Sequence, residues 1–365
     1  MNVNRRTTRG RGAVVALVGT LVATLGLAAC SKDADPQPAP PTPTVTVDAS
    51  VEPTKTDAPT PEGPIVYPLT GVAVDEVPNR PAIAVKVENT AAARPQSGLE
   101  DADIVWETIV EFEVSRFIAV YQSKTPETVG PVRSARPVDL RAISPLKPLF
   151  VFSGAQSKML GRISRAEAVQ AISNDAGAAG LSRSSARRAP HNVYADLVTI
   201  WKAADSTHSA APAQQLQYAA DAKDATATVD GKSTSSIAIA LSSAARPGWA
   251  WDGEADVWLR SEGSAKAMGA NGKQLRATNV VLIETEQRDS KMDAQGGAPV
   301  PDQAFRGKGK ALVLTGGRSI VATWTKTDDS TPFELVGKDG EPILLAPGNT
   351  WIEMLNKGKS TYTVD

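Results

Sequence analysis

The sequence has very little of the residues on which most catalytic and metal sites depend. Among its 365 residues are one cysteine and two histidines, and aromatic residues make up only 5%. One cysteine cannot form an intramolecular disulfide or a cysteine-based zinc site, and two histidines cannot form a histidine-rich metal site. A metal would have to be a hard cation held by carboxylates. We therefore expect neither a metal site nor a cofactor.

An excess of charge is also lacking. The 39 Lys and Arg residues nearly balance the 40 Asp and Glu residues, which gives a net charge of −1. Binding to nucleic acid favours a basic surface with interleaved aromatic residues, and the sequence has no such stripe, so we expect no nucleic-acid partner. It also has no Walker loop, no Gly-x-Ser-x-Gly elbow and no paired-histidine zinc motif.

The only cysteine is the most informative residue of the chain. Cys30 ends the run Leu27-Ala28-Ala29-Cys30, which closes an apolar segment that follows a basic N-terminus. That segment, residues 13–29, falls short of the ~20 residues that a transmembrane helix needs. An ordinary secretory signal is the alternative, but the order of features is typical of a bacterial lipoprotein signal. We predict that residues 1–30 are a signal peptide, that Cys30 is lipidated, and that the chain is anchored to the outer face of the cytoplasmic membrane.

The remaining sequence divides by composition into four parts. Residues 31–64 are rich in Pro, Thr, Ala and Asp and cannot bury enough apolar surface to offset their ordering entropy, which predicts a disordered tether. Residues 65–207 mix strand-like and helix-like periodicity, which predicts an α+β domain. Residues 208–235 are predicted to be a connector. Residues 236–365 contain short β-type runs between turn signals, which predicts a mostly β domain, so the expected fold class is α+β overall.

Periodicity places the main elements of the first half. Apolar residues at helical spacing predict helices over residues 158–172 and 195–204. Residues 103–114 alternate apolar and acidic positions, which predicts a half-buried strand, broken midway, with Glu107, Glu111 and Glu113 on its solvent side. Further strands are predicted over residues 81–87, 115–122 and 149–152.

Three clusters in the first half read as loops: Ala93-Arg94-Pro95-Gln96-Ser97-Gly98-Leu99, Gly130-Pro131-Val132-Arg133-Ser134-Ala135-Arg136 and Ala189-Pro190-His191-Asn192-Val193-Tyr194. With Ser115-Arg116-Phe117 and the later Gly348-Asn349-Thr350-Trp351-Ile352, they resemble in order the YerB-like family of bacterial lipoproteins, a two-part domain of unknown function. The resemblance covers about residues 67–365. It implies an exported, membrane-anchored envelope protein with no established catalytic activity.

The arginines in these loops are candidates for binding an anion. Arginine offers a rigid planar fork that suits carboxylate or phosphate oxygens. If the fold brings the loops together, they form a site for an anionic, wall-related ligand, or they contact a membrane protein partner. The alternative is that these arginines pair with Glu107, Glu111 or Asp139 and only hold the loops in place. The predicted binding residues are Arg94, Arg116, Arg133, Arg136, His191 and Asn192.

An enzyme acting on wall polymer or on a lipid-linked precursor is the second hypothesis. In it, Arg133 and Arg136 would hold phosphate while Glu107, Asp139 or His191 would transfer protons. A third hypothesis is a structural scaffold in a membrane complex. Because the sequence shows no assembled nucleophile, we favour a binding protein without catalytic activity.

Overall fold

The computed structural model describes residues 63–294 and 296–365. The predicted signal peptide, the lipidation site at Cys30 and nearly all of the predicted tether therefore lie outside the described residues. Among the helices that the structure describes, none is both long enough and apolar enough to cross a membrane.

The first half of the described chain consists of short strands and short helices. Their bounds are β1 (Ile83–Glu88), β2 (Ile104–Ile109), β3 (Ser115–Tyr121), α1 (Pro137–Ile143), β4 (Leu149–Phe152), α2 (Ser157–Ile163), β5 (Gln170–Ser173), β6 (Leu181–Arg183), β7 (Val193–Ala195) and α3 (Leu197–Trp201). Strands β1, β3 and β4 lie within one or two residues of the strands predicted over residues 81–87, 115–122 and 149–152.

The second half begins with one short helix and continues almost entirely as strands. The bounds are α4 (Thr226–Asp230), β8 (Lys232–Ser233), β9 (Ser236–Ala240), β10 (Pro247–Asp252), β11 (Val257–Glu262), β12 (Ala265–Lys266), β13 (Arg276–Ala277), β14 (Asn279–Asp293), β15 (Pro299–Ala304), β16 (Gly307–Thr315), β17 (Arg318–Lys326), β18 (Glu334–Val336), β19 (Thr350–Asn356) and β20 (Thr361–Val364). The described residues contain far more strand than helix, so the predicted α+β class holds only loosely.

One large mixed sheet takes strands from both halves of the sequence. Within the described residues it has 12 strands, in the order β18-β17-β16-β14-β19-β2-β3-β1-β4-β5, with β15 beside β14 and β8 beside β17. Strand β19 lies parallel between β14 and β2, which places Glu353 opposite Glu107. The predicted α+β and mostly β parts of the sequence therefore share this sheet.

Both faces of the large sheet are covered, which explains why its central strands are buried throughout. A six-stranded sheet, in the order β12-β11-β10-β9-β20 with β13 beside β11, contributes to the core on one face. There Trp351 of β19 packs edge-on against Trp249 of β10, with ring centroids 5.2 Å apart. On the other face, Trp106 and Ile118 belong to a second core with apolar residues of α1 and α2. Successive residues of a strand face opposite sides, so each central strand feeds both cores.

Two predictions about local structure are wrong. The helix predicted over residues 158–172 ends at Ile163, and its last residues form β5, which pairs in parallel with β4. Ile163 and Ile172 are both buried, one in α2 and one in β5, and their spacing along the sequence also fits a single helix. The strand predicted over residues 103–114 is broken midway as expected and Glu113 is exposed, but every residue of β2, including Glu107, is buried, and so is Glu111.

Candidate functional site

Three of the predicted binding arginines line one cavity. This basic cavity has a volume of about 610 Å³, and its lining includes Arg116, Arg133 and Arg136 together with Arg183 of β6. Two carboxylates, Glu111 and Asp175, complete its charged lining, and Ser134 and Ser153 add hydroxyl groups. Four arginines against two carboxylates leave an excess of two positive charges.

The loop that carries Arg133 and Arg136 is fixed by the start of α1. Pro137 occupies the first turn, where its missing N–H costs nothing, and Asp139 accepts a hydrogen bond of 2.7 Å from the backbone N–H of Arg136. Asp139 also accepts from Lys86 Nζ at 2.7 Å in a pair that is fully buried. Burial, opposed by the charge of Asp139, lowers the pKa of Lys86 to about 8. Asp139 is thus occupied in holding the loop.

Arg116 and Arg136 share Glu111 as their counterion. Arg116 Nη2 donates to Glu111 Oε1 at 2.9 Å, and Arg136 Nε donates to Glu111 Oε2 at 2.6 Å. Burial alone would raise the pKa of Glu111, but the hydrogen bond from Arg136 and the two positive charges lower it to about 2. Burial and the nearby charge of Arg136 lower the pKa of Arg116 to about 10. One carboxylate therefore serves two guanidinium groups, which leaves one positive charge in excess at this side of the cavity.

Arg133 makes fewer hydrogen bonds than Arg116 and Arg136. Its Nη1 donates to the carbonyl oxygen of Pro190 at 3.3 Å, and its Nε lies 3.4 Å from Glu88 Oε2. That Nε is buried and has no hydrogen-bond acceptor among the described residues. Glu88 is shared with His191, whose Nδ1 lies 2.8 Å from Glu88 Oε1. Arg133 therefore has hydrogen-bonding capacity left for a ligand.

Arg183 is the binding candidate that the sequence reasoning missed. Its Nη1 donates to Asn192 Oδ1 at 2.8 Å, and Asn192 Nδ2 donates to the carbonyl oxygen of Ser184 at 3.1 Å. The predicted residue Asn192 thus orients Arg183 within the hairpin of β6 and β7. Because Arg183 lies outside the three loop clusters, only the pairing of these two strands identifies it.

The other predicted binding residues lie elsewhere. Arg94 contacts Glu262 Oε2 at 3.2 Å and lines a separate cavity of about 230 Å³. His191 contacts Glu88 but does not line the basic cavity, although its neighbour Pro190 does. The six predicted residues therefore divide: three arginines meet in one cavity, two side chains support them, and Arg94 is separate.

The three candidate proton-transfer residues are not assembled into an acid/base site. The lining of the basic cavity includes none of Glu107, Asp139 and His191. Glu107 and Asp139 are fully buried, each in an ion pair. The expectation that Glu107 lies on a solvated face is wrong, because the six-stranded sheet covers that side of β2.

The partner of Glu107 is a buried arginine that the sequence analysis did not single out. Arg260 of β11 donates to Glu107 Oε2 at 2.7 Å, to Glu262 Oε1 at 2.6 Å and to Glu353 Oε1 at 2.9 Å. Burial and the neighbouring Glu107 raise the pKa of Glu353 well above its usual value. The signal in the sequence is a charged residue inside an apolar run, as in Trp351-Ile352-Glu353-Met354, because a buried charge requires a partner.

Comparisons with known proteins agree with the sequence motifs. Residues 69–210 match the description "Protein of unknown function (DUF3048) N-terminal domain", and residues 237–352 match the corresponding C-terminal domain. The chain is 28% identical over 296 residues to "Putative lipoprotein YerB" of Bacillus subtilis (strain 168), covering 79% of this chain and 85% of that protein. The crystal structure of YerB from Bacillus subtilis is similar with a TM-score of 0.70 and 26% identity, over 82% of this chain and 99% of that one.

Proposed function

Because the chain belongs to the YerB-like family with its paired DUF3048 domains, for which the matched descriptions name no activity, we propose its function from the basic cavity. It is a lipoprotein of the cell envelope, anchored through Cys30 to the outer face of the membrane. Its basic cavity binds an anionic ligand of the wall or membrane. The observation that carries the proposal is the convergence of four arginines on one cavity with two carboxylates.

The arrangement of counterions supports ligand binding over a purely structural role. Arg116 and Arg136 share Glu111 and are largely occupied. Arg133 has a buried Nε without an acceptor, and among the described residues Arg183 has no carboxylate partner. The Nε of Arg133 is covered by its contact with Glu88, but among the described residues its Nη groups make only the one hydrogen bond to Pro190, so they can donate to a ligand anion. Ser134 and Ser153, whose hydroxyl oxygens lie 3.5 Å apart, can donate to further ligand oxygens.

Replacing Arg133 with alanine tests the proposal. We expect Arg133→Ala to lower affinity for inorganic pyrophosphate about tenfold or more, because a charge-assisted hydrogen bond contributes about 1.5–3 kcal/mol. Glu88 is buried but keeps Thr90 and His191 as hydrogen-bond partners, so we expect a stability loss of about 1–3 kcal/mol, without unfolding. Calorimetric titration of the full chain in zwitterionic nanodiscs measures the affinity, and thermal unfolding measures the stability.

Arg188→Ala is the matched control for Arg133→Ala. Arg188 is an exposed arginine in the same loop as His191, and it does not line the cavity. We expect its replacement to leave pyrophosphate affinity unchanged. Equal affinities of wild type and Arg133→Ala would contradict the proposal, and an absence of binding by both would favour a membrane protein partner instead.

The anchor is tested separately. We expect Cys30→Ser to move the chain from the membrane fraction to the soluble fraction, because the thiol is the acylation point and acyl chains supply the membrane affinity. Fractionation followed by mass spectrometry of the N-terminal peptide checks this. An unacylated wild-type chain would refute the lipoprotein part of the proposal and leave the cavity part intact.

A further inference from the structure

The basic cavity has an apolar part that binding an inorganic anion does not explain. Met159 of α2, Met292 of β14 and Val300 of β15 form its floor and are packed in the core, whereas Ala155 and Ala294 of the lining are partly exposed. The arginines come from β3, from the loop before α1 and from β6. Two sets of elements thus supply two kinds of lining, one cationic and one apolar. Methionine side chains are flexible and adapt to apolar ligands of irregular shape.

An exposed aromatic residue adds to this apolar lining. Phe112 lines the basic cavity, yet its side chain is 66% exposed. Phe112 and Glu113 have positive φ angles of 60° and 58°, a conformation that residues other than glycine rarely adopt. The turn is held from outside, because Ser242 Oγ donates to the backbone carbonyl oxygen of Glu113 at 2.5 Å. Unusual backbone conformations of bulky residues cluster at ligand sites, where surrounding contacts maintain them.

We propose that the ligand of the basic cavity is an amphiphilic anion: a phosphate monoester or similar anionic group joined to an apolar chain or ring. The anionic group accepts hydrogen bonds from Arg133 and Arg183, and the apolar part lies against the exposed Phe112 and the partly exposed Ala155 and Ala294. This inference rests on the proposed function and narrows it. A cavity of about 610 Å³ is in the usual size range of small-molecule sites, which combine apolar walls with a few polar groups.

A fully polar ligand fits these observations less well. Free phosphate or an uncharged sugar polymer would leave the exposed ring of Phe112 in water. An apolar group at Phe112 removes that surface from water, which is favourable in proportion to the area covered. The same chemistry occurs in a soluble phosphate ester and in an anionic lipid, so the experiment includes both.

The test compares inorganic phosphate with hexyl phosphate. With the full chain in zwitterionic nanodiscs and empty nanodiscs as the blank, we expect hexyl phosphate to bind about tenfold more tightly or better, since each buried methylene strengthens binding several-fold. A second arm replaces hexyl phosphate with lysophosphatidic acid in the nanodisc, which distinguishes a membrane lipid from a soluble ligand. The inference is supported if the chain binds either hexyl phosphate or lysophosphatidic acid more tightly than it binds inorganic phosphate.

Phe112→Asn separates the apolar contact from the anionic one. Asparagine tolerates positive φ, and Phe112 is exposed, so the variant is expected to fold. We expect it to lose most of the preference for hexyl phosphate while its affinity for inorganic phosphate stays the same. Val229→Asn removes another exposed apolar side chain that does not line the cavity and should change neither affinity.

The outcomes distinguish this inference from the proposed function. Equal affinities for inorganic phosphate and for both amphiphiles would overturn the inference and leave anion binding in place. A preference that persists unchanged in Phe112→Asn would also overturn the assigned apolar contact. No binding of any of these anions would overturn both proposals together.

Discussion

Replacing Arg260 with leucine is expected to leave most of the chain unfolded at neutral pH. Arg260 is fully buried and donates to Glu107, Glu262 and Glu353. Removing one partner from a buried ion pair costs about 3–5 kcal/mol, because the other charge stays buried without compensation. Here the carboxylates of Glu107 and Glu262 would both lose Arg260 as a counterion, against a typical total stability of about 5–15 kcal/mol. Urea unfolding followed by tryptophan fluorescence and circular dichroism measures the loss.

Arg306→Leu is the matched control for Arg260→Leu. Arg306 also donates to a carboxylate, Asp329 Oδ2, at 2.7 Å, but its side chain is 59% exposed. Exposed ion pairs contribute about 1 kcal/mol or less, so this variant should unfold close to wild type. If Arg260→Leu were no less stable than Arg306→Leu, the buried cluster would not hold the two sheets together.

The Arg260 cluster shows where sequence reasoning reaches its limit. Alternation identifies the two faces of β2 correctly, but it cannot say what covers each face. Glu107 is therefore predicted to face solvent, whereas its partner Arg260 lies 153 residues further along the chain. An acidic residue on a solvated face and one in a buried ion pair give the same local pattern. Only the pairing of distant strands decides between them.

The sequences of single loops predicted part of the lining of the basic cavity. Gly130 and Pro131 correctly mark a loop that presents Arg133 and Arg136, because these residues favour turns over regular structure. What the sequence could not show is which arginines share a cavity. Arg94 has a comparable motif, yet it contacts Glu262 in the other half of the chain. The apolar lining from β14 and β15 is likewise remote in sequence from the arginines, so it had no local signal.

Glu111→Gln is expected to lower stability and raise anion affinity at the same time. The carboxylate of Glu111 is nearly buried between Arg116 and Arg136, and its pKa of about 2 lies below the ordinary value of 4.5. A lowered pKa in the folded state means that the ionised carboxylate stabilises the fold. At about 1.4 kcal/mol per pKa unit, reduced for partial solvent exposure, this amounts to about 2–3 kcal/mol at neutral pH.

The pH dependence of this stabilisation has a definite sign. Between about pH 4.5 and pH 2 the unfolded chain binds a proton at Glu111 that the folded chain does not. The contribution is therefore complete above about pH 4.5 and is lost as the pH falls through about 2. We expect wild type to be more stable than Glu111→Gln at pH 7 and the difference to shrink steadily below pH 4.5. Urea unfolding across this pH range measures it.

The same substitution is expected to strengthen binding of inorganic pyrophosphate about fivefold or more. Without the charge of Glu111, Arg116 and Arg136 are left unbalanced at the cavity, and a ligand anion several ångströms away interacts with them by about 1 kcal/mol or more. Glu127→Gln, at an exposed carboxylate outside the cavity, should change neither property. Opposite changes in stability and affinity would show that the charge of Glu111 stabilises the fold and opposes the bound anion. If Glu111→Gln weakened both, Glu111 would instead support binding by holding Arg116 and Arg136 in position, which would contradict the expected repulsion between its charge and the ligand.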